Sequence, residues 1–421
     1  MKEREVIQSE AIKKNSEFFL NIQNVNLRVE NITNSPLPQL SILGPEGTNT
    51  DQAAAEFFGE SYKKAAEIIS VREEENNIRL VESVIEGRSD MAIVPTESSS
   101  GGNVQEPLMM IAKSSVNIIG EKVIPIEHML ASFGKKEDVS IIRSHPQAIR
   151  QSSKWLKENF PHAILEEAGS TAGAVRDLAR YREMHIAAIG NKRAAEIYQV
   201  PLLSSEAIGN DKDSATRFWL IGNGESEPTG SDKTTFTFRI PDTPGSLVNS
   251  LENLNRNNIN LKKLISIEAD EDSVQFLATI DGHAKDFNIS SAIKQIENIT
   301  QMHILGSYSA DKYATPENST PPAISADMLE KAKQDTPHRK RMSSLNLLFT
   351  TLDSQGSLLR AISPLAKAGV NILHINSIES GRGMDEYGFR IDLDLHGSDS
   401  TDFLIALNEF RSQCSVVKEL T

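Results

Sequence analysis

The sequence predicts an α/β chain in three parts: an alternating strand and helix region followed by two ferredoxin-like βαββαβ units. Three observations predict it. From Leu40 to Gly222, short apolar runs alternate with helical patterns, the texture of a parallel sheet flanked by helices. Two polar stretches then interrupt the chain as linkers: 223–233, rich in Gly, Ser and Pro, and 310–343, which holds TPENSTPP and a basic run. After each of them the same pattern recurs at an offset of 111 residues: Gly245-Ser246-Leu247 matches Gly356-Ser357-Leu358, and Ser266-Ile267-Glu268 matches Ser377-Ile378-Glu379.

Residues 1–37 are polar, rich in Asn and Glu, and end in Ser-Pro-Leu-Pro, which predicts a loosely ordered arm. The strand SILG then leads through Gly44-Pro45-Glu46-Gly47-Thr48 into an Ala-rich helix at 51–58. IISV, a helix at 74–87 and the buried strand MAIV follow, then the segment Pro95 to Val104 and the apolar helix LMMIA. VNIIG, a short segment at 139–142, helices at 146–158 and 171–182, HIAAIG and FWLIG complete the alternation. In each later unit a strand (TTFTFRI or SLNLLFTTL) runs into a glycine that opens a helix, giving strand, helix, strand, strand, helix, strand.

Composition narrows the function. A formal charge of −14 over 421 residues argues against nucleic acid or an anionic membrane as the main partner. Cys414 stands alone, so no intrachain disulfide forms, and no Cys/His group has zinc-binding spacing. No apolar run approaches a signal peptide or membrane span, which points to a cytoplasmic protein.

Candidate site residues cluster at strand-to-helix turns. Gly44 to Thr48 can turn backbone N–H groups toward an anion, with Thr48 adding a hydroxyl; a plain glycine turn is the simpler reading. Ser98, Ser99 and Ser100 before two glycines form a dense donor set at a strand's end, or a flexible loop. His145, Ser170-Thr171 and Asn191 head helices, where capping suffices to explain them. Ser214-Ala215-Thr216-Arg217-Phe218 enters a strand with an arginine able to clamp a carboxylate beside a hydroxyl, or with a surface arginine at a strand edge.

Taken in order, GPEGT, PTESSSGGNV, SHPQAIRQSSKWL, GSTAGAV, AAIGNKRAAEIY and ATRFWLIG resemble the successive signatures of the prephenate dehydratase family over about residues 40–222. The two repeated units resemble a tandem pair of ACT domains, small modules that bind amino acids. The resemblance implies a bilobed, periplasmic-binding-protein-like catalytic domain at 38–222, with lobe 1 at about 38–112 and 206–222 and lobe 2 at about 113–205. ACT-like domains follow at 234–309 and 344–421.

The implied reaction is loss of CO2 and hydroxide from prephenate, which needs no metal or organic cofactor. It implies Thr216 as the group assisting the leaving hydroxide, Arg217 on a substrate carboxylate, Thr48, Ser98, Ser99 and Thr171 as further donors, and Phe218 against the ring or merely anchoring the strand. Where dehydratases place an aromatic residue, Asn and Asn, this chain has Asn49, Ser98 and Ser214. Those departures keep open a non-aromatising prephenate decarboxylase, and the ACT pair a non-catalytic amino-acid sensor. Gly245-Ser246-Leu247 and Gly356-Ser357-Leu358 are the expected effector elements. The Glu-Ser-Arg-Pro motif of phenylalanine-responsive relatives is absent, so ordinary phenylalanine feedback is not expected. A homo-oligomer, dimer or tetramer, is expected, with the alternative that the two units pair within one chain.

Overall fold

The structure, a computed structural model, describes residues 12–14, 17–22, 25–29, 38–59, 69–209, 214–297, 300–311, 324–335, 344–379, 387–395 and 400–420. The expected loose arm contains β1 (Ile12–Lys14), β2 (Glu17–Ile22) and β3 (Val25–Val29), an antiparallel meander. The apolar run Phe18-Phe19-Leu20 and the alternating Val25, Leu27 and Val29 give it strand character that the polar average conceals. The rest of the arm lies outside the described residues.

Lobe 1 is built from β4 (Gln39–Leu43), α1 (Asn49–Phe58), β5 (Ser70–Glu74), α2 (Asn77–Ile85), β6 (Met91–Ser98), the short β7 (Gly102–Asn103), α3 (Gln105–Ala112) and β8 (Asn117–Pro125). Lobe 2 holds β9 (Met129–Ser132), β10 (Ile141–Ser144), α4 (Pro146–Gln151), α5 (Ser153–Asn159), β11 (Ile164–Glu167), α6 (Thr171–Tyr181), β12 (Ile186–Gly190) and α7 (Lys192–Ile197). The chain returns to lobe 1 as β13 (Ala215–Gly222), and β14 (Gly224–Ser226) pairs with β3. That pairing puts a strand inside the expected linker 223–233.

The sheets run β5-β4-β6-β13-β8 and β11-β10-β12-β9. Lobe 1 is therefore mixed rather than parallel, because β13 lies antiparallel between β6 and β8. Strand β8, expected in lobe 2, belongs to lobe 1: Ile118, Ile119 and Ile124 fill the cores on the two faces of that sheet.

The first repeat is β15 (Asp232–Pro241), α8 (Ser246–Arg256), β16 (Leu261–Ala269), β17 (Ser273–Asp281), α9 (Phe287–Glu297) and β18 (Gln301–Ser309). Next comes α10 (Ala326–Gln334), a helix within the expected linker 310–343, whose TPENSTPP stretch and basic run 336–341 lie outside the described residues. Its short apolar stripe of Met328 and Ala332 is fully buried, which stabilises a helix that polar composition alone disfavours. The second repeat is β19 (Ser344–Thr350), α11 (Ser357–Lys367), β20 (Asn371–Glu379), β21 (Tyr387–Asp394), α12 (Ser400–Gln413) and β22 (Val416–Glu419). Both show the expected βαββαβ order.

The two repeats share one eight-stranded antiparallel sheet, joined where β16 meets β20. Ser266 Oγ donates to Ile375 O at 3.1 Å and accepts from Ile375 N at 3.0 Å. Its repeat mate Ser377 does the same to Leu264, at 3.1 and 2.9 Å. The serines picked out by the repeat are thus the seam between the repeats, which pair within the chain. Gly245 and Gly356 cap α8 and α11 at φ +85° and +72°, a left-handed geometry that strains any other residue. Apolar faces of α8, α11 and their neighbours cover one side of the sheet. On the other side Ile265, Ile267 and Tyr308 pack onto Trp219 and Ile221 of lobe 1. No helix among the described residues is long and apolar enough to cross a membrane.

Candidate active site

The lobes meet along a cleft whose lobe 1 wall is formed by the start of α1, the β6–β7 turn and the start of β13. Thr216 pairs in register with Ser98 across β13 and β6, so their side chains stand side by side on one face. Thr216 is half-buried, and among the described residues its hydroxyl has no hydrogen-bond partner. Ser98 Oγ lies 3.1 Å from Ser100 Oγ, which accepts from Gln151 of lobe 2 at 2.5 Å.

Across the cleft, α1 and α7 bring their N-terminal ends together. Asn191 Nδ2 donates to Asn49 Oδ1 at 3.1 Å, Arg193 Nε to Asp51 Oδ2 at 2.8 Å, and Tyr198 OH to Glu46 O at 2.8 Å. Burial pushes the Tyr198 phenol up to about 12, so it stays a donor. Gly47, at φ +84°, is required twice over, since a Cβ there would sit 2.9 Å from Ala194 Cα. Thr171 opens α6 beside the end of β12; its carbonyl would lie 3.6 Å from a Cβ on Gly190, one residue before Asn191. Asn49 and Asn191 are therefore a polar latch where the departure from family pattern occurs.

Several expected roles change. Thr48 caps α1, accepting from Asp51 N at 3.2 Å and donating to Leu43 O at 2.8 Å, so its proton is engaged within the protein. Ser99 is fully buried: its Oγ accepts from Ala215 N at 2.8 Å and its N–H donates to Ala215 O at 2.9 Å. It braces the strand rather than facing the cleft. Phe218 is a core residue, packed with Leu40, Ile42 and Phe57. Ser170 caps α6 through Gly173 N at 3.0 Å, leaving Thr171 half-buried at the helix start. His145 caps α4, with Nδ1 accepting from Gln147 N at 3.3 Å; burial, then the charge of Arg150, lowers its pKa.

Arg217 is the largest correction. It alternates with Thr216 on β13 and so points to the opposite face, toward the first repeat. Only 3% exposed, its Nε lies 3.1 Å from Glu97 Oε2 and its Nη1 2.7 Å from Glu121 Oε2. Lys263 of β16 reaches Glu97 at 2.9 Å and Lys233 of β15 reaches Glu121 at 2.9 Å. The guanidinium thus joins catalytic lobe and first repeat instead of clamping a substrate carboxylate. Local sequence cannot reveal this, because the four partners lie up to more than a hundred residues away; the alternation of β13 was the available signal. Gln151, Arg193 and Tyr198, also unforeseen, lie in the matched motifs but require the fold to be seen as cleft residues. Among the described residues no group of His, Cys, Asp and Glu is arranged to hold a metal ion.

Residues 40–226 match the prephenate dehydratase family. The bifunctional chorismate mutase/prephenate dehydratase of Aquifex aeolicus is 34% identical over 276 residues, 64% of this chain and 73% of that protein. The prephenate dehydratase of Lactococcus lactis is 27% identical, covering 64% of this chain and 97% of its own length. Among solved structures, the prephenate dehydratase of Arthrobacter aurescens in complex with L-Phe superposes with a TM-score of 0.57 at 30% identity, over 65% of this chain and 90% of that one.

Proposed function

This chain belongs to the prephenate dehydratase family, and on that premise we propose how its cleft converts prephenate to phenylpyruvate. The ring carboxylate leaves as CO2, its bonding electrons move into the ring, and the C4–O bond breaks; the departing hydroxide takes up a proton and leaves as water. The observation that carries the reading is the half-buried Thr216 hydroxyl, without an internal partner among the described residues, at the cleft end of β13. It donates a hydrogen bond that strengthens as charge builds on the leaving oxygen.

With Arg217 turned away, the substrate's two carboxylates need other donors. The open first-turn N–H groups of α1 and α6 supply them, aided by the helix dipoles, Thr171 and the Asn49–Asn191 amides. The β6–β7 turn with Ser98 and Ser100 holds the ring in place, so reacting groups meet in one geometry. Mass spectrometry of the product from prephenate tests the reading. Phenylpyruvate supports it; a product that has lost CO2 alone makes the chain a non-aromatising decarboxylase.

We read the two βαββαβ units as an ACT-like pair that takes an amino-acid effector, in a cytoplasmic homo-oligomer. Their topology, the two left-handed glycine caps and the L-Phe complex of the Arthrobacter relative support this. The two repeat-related sites differ. At the first, Asp242, Thr243, Gly245, Ser246 and Leu247 face Asn371 across a small pocket, with Asn371 Nδ2 2.7 Å from Asp242 Oδ1. At the second, beside Gly356, Ser357 and Leu358, Lys262 Nζ occupies Asp353 at 2.7 Å, and a Cβ on Gly356 would fall 2.5 Å from Asn255 Oδ1. Lys262 has Leu373 as its repeat mate, so the first site has no such plug. The reading is one effector per chain, at Asp242.

A further inference from the structure

We propose that α10, between the repeats, is part of the catalytic apparatus, with Lys331 as a positioning residue for the turn that carries Ser98 and Ser100. Lys331 is buried, and its Nζ donates to the carbonyl of Ser99. Ser99 in turn grips Ala215 at both its N–H and its carbonyl, at 2.8 and 2.9 Å. Ala215 is the residue before Thr216. One ammonium group thus sets the height of the β6–β7 turn and, through Ser99, the start of β13.

The helix that carries Lys331 is fixed to the second repeat, not to the lobe it serves. Met328 and Ala332 pack on Leu348 and Ile378. At its C-terminal end, Asp335 accepts from His374 Nε2 at 2.9 Å and Asn376 Nδ2 at 2.7 Å. Arg390, held by Asp392 at 2.9 Å, donates from Nη1 to Ala332 O at 2.7 Å. A second contact runs parallel to this one: Asn103 of β7 donates to Ser377 O at 3.4 Å, at the seam between the repeats. The second repeat therefore supports the catalytic turn from both of its ends. Sub-ångström placement of such a turn matters, since a displacement of about 1 Å costs on the order of a hundredfold in rate.

The proposal rests on the reading of Thr216 and its cleft as the dehydratase site, and the test separates the two. Steady-state phenylpyruvate formation is measured for the full-length wild type, Lys331→Met, Lys331→Arg and Asp335→Ala, together with melting temperature and circular dichroism. The expected result is a fall in kcat of roughly tenfold to a hundredfold in Lys331→Met, with KM changed less than about threefold and substantial recovery in Lys331→Arg. Wild-type kcat in a folded Lys331→Met overturns the proposal, as does an equal loss in Met and Arg variants, which marks packing alone. If Lys331→Met does not fold, Asp335→Ala decides: lowered kcat at unchanged KM supports the role of α10, and unchanged kcat refutes it. A wild type that forms no phenylpyruvate refutes the underlying site reading instead.

Discussion

Arg217 Nη1 lies 2.7 Å from Glu121 Oε2, one residue along β13 from Thr216 and on the opposite face of the sheet. Adjacent residues of one motif therefore serve different ends: the threonine faces the cleft, and the arginine fastens the cleft's sheet to the first repeat.

Thr216→Ala is expected to lower kcat by about two to three orders of magnitude, the scale of a lost transition-state donor, with little change in KM. Thr216→Ser keeps the hydroxyl and retains more activity. Phenylpyruvate formation by the purified, folded variants is the measurement, and an undiminished kcat in Thr216→Ala removes this residue from the mechanism.

The buried charge cluster predicts an order of stabilities. Arg217→Met leaves Glu97 with Lys263 and Glu121 with Lys233, two matched pairs. Glu97→Gln instead leaves Arg217 and Lys263 facing a neutral amide, an uncompensated buried charge that costs about 3–5 kcal/mol. Urea unfolding should rank Glu97→Gln as the less stable. In Arg217→Met the KM for prephenate should stay within about threefold of wild type; a rise on the order of a hundredfold, the loss of a charged bidentate contact, would restore the carboxylate-clamp role.

Asp335 ties α10 to the second repeat in a pH-dependent way. Burial pushes its carboxyl upward, but hydrogen bonds from His374 and Asn376 and the charges of His374 and Arg390 outweigh this and hold it below the ordinary aspartate value. A depressed carboxylate stabilises the fold above its unfolded pKa of about 3.9, and that contribution disappears as pH falls through the lower folded value. Melting temperatures of wild type and Asp335→Asn should differ most near neutrality and converge below about pH 4. A gap that widens with acid would contradict this assignment.

For the effector, isothermal titration of the full chain with phenylalanine and other amino acids should give one site per chain; no binding by any of them refutes the effector reading. Asp242→Ala should weaken binding by roughly tenfold to a hundredfold, as expected for a lost charge-assisted hydrogen bond. Asp353→Ala should leave it unchanged. Two equivalent sites, or equal sensitivity to both substitutions, would refute the plugged second site.

Much of the molecule was legible along the chain. The motif order from GPEGT to ATRFWLIG marked the catalytic region, and the 111-residue offset marked two units whose matched serines, Ser266 and Ser377, turned out to be their seam. Glycine caps at Gly245 and Gly356 were readable because each follows a strand and opens a helix, a turn whose left-handed backbone favours glycine. The arm, the two linkers and the lobe boundary differ from expectation, since β1–β3 are short strands inside a polar segment, while β14 and α10 depend on partners elsewhere in the chain, β3 for the one and Leu348 and Ile378 for the other.

By itself the sequence determined the family, the order of the elements, the internal repeat and the presence of Thr216 and Arg217 at the start of β13. Tertiary structure alone decided which way each side chain of that strand points. A strand buried on both faces offers no polar side to read, so the choice between Thr216 and Arg217 as the cleft residue depends on which neighbours supply charge. Glu97 and Glu121 line the face toward Lys233 and Lys263, and a buried guanidinium is stable only beside such carboxylates. The Thr216 hydroxyl stands on the other face, beside Ser98, and Lys331, from a segment that composition presented as a linker, donates to the neighbouring Ser99 carbonyl.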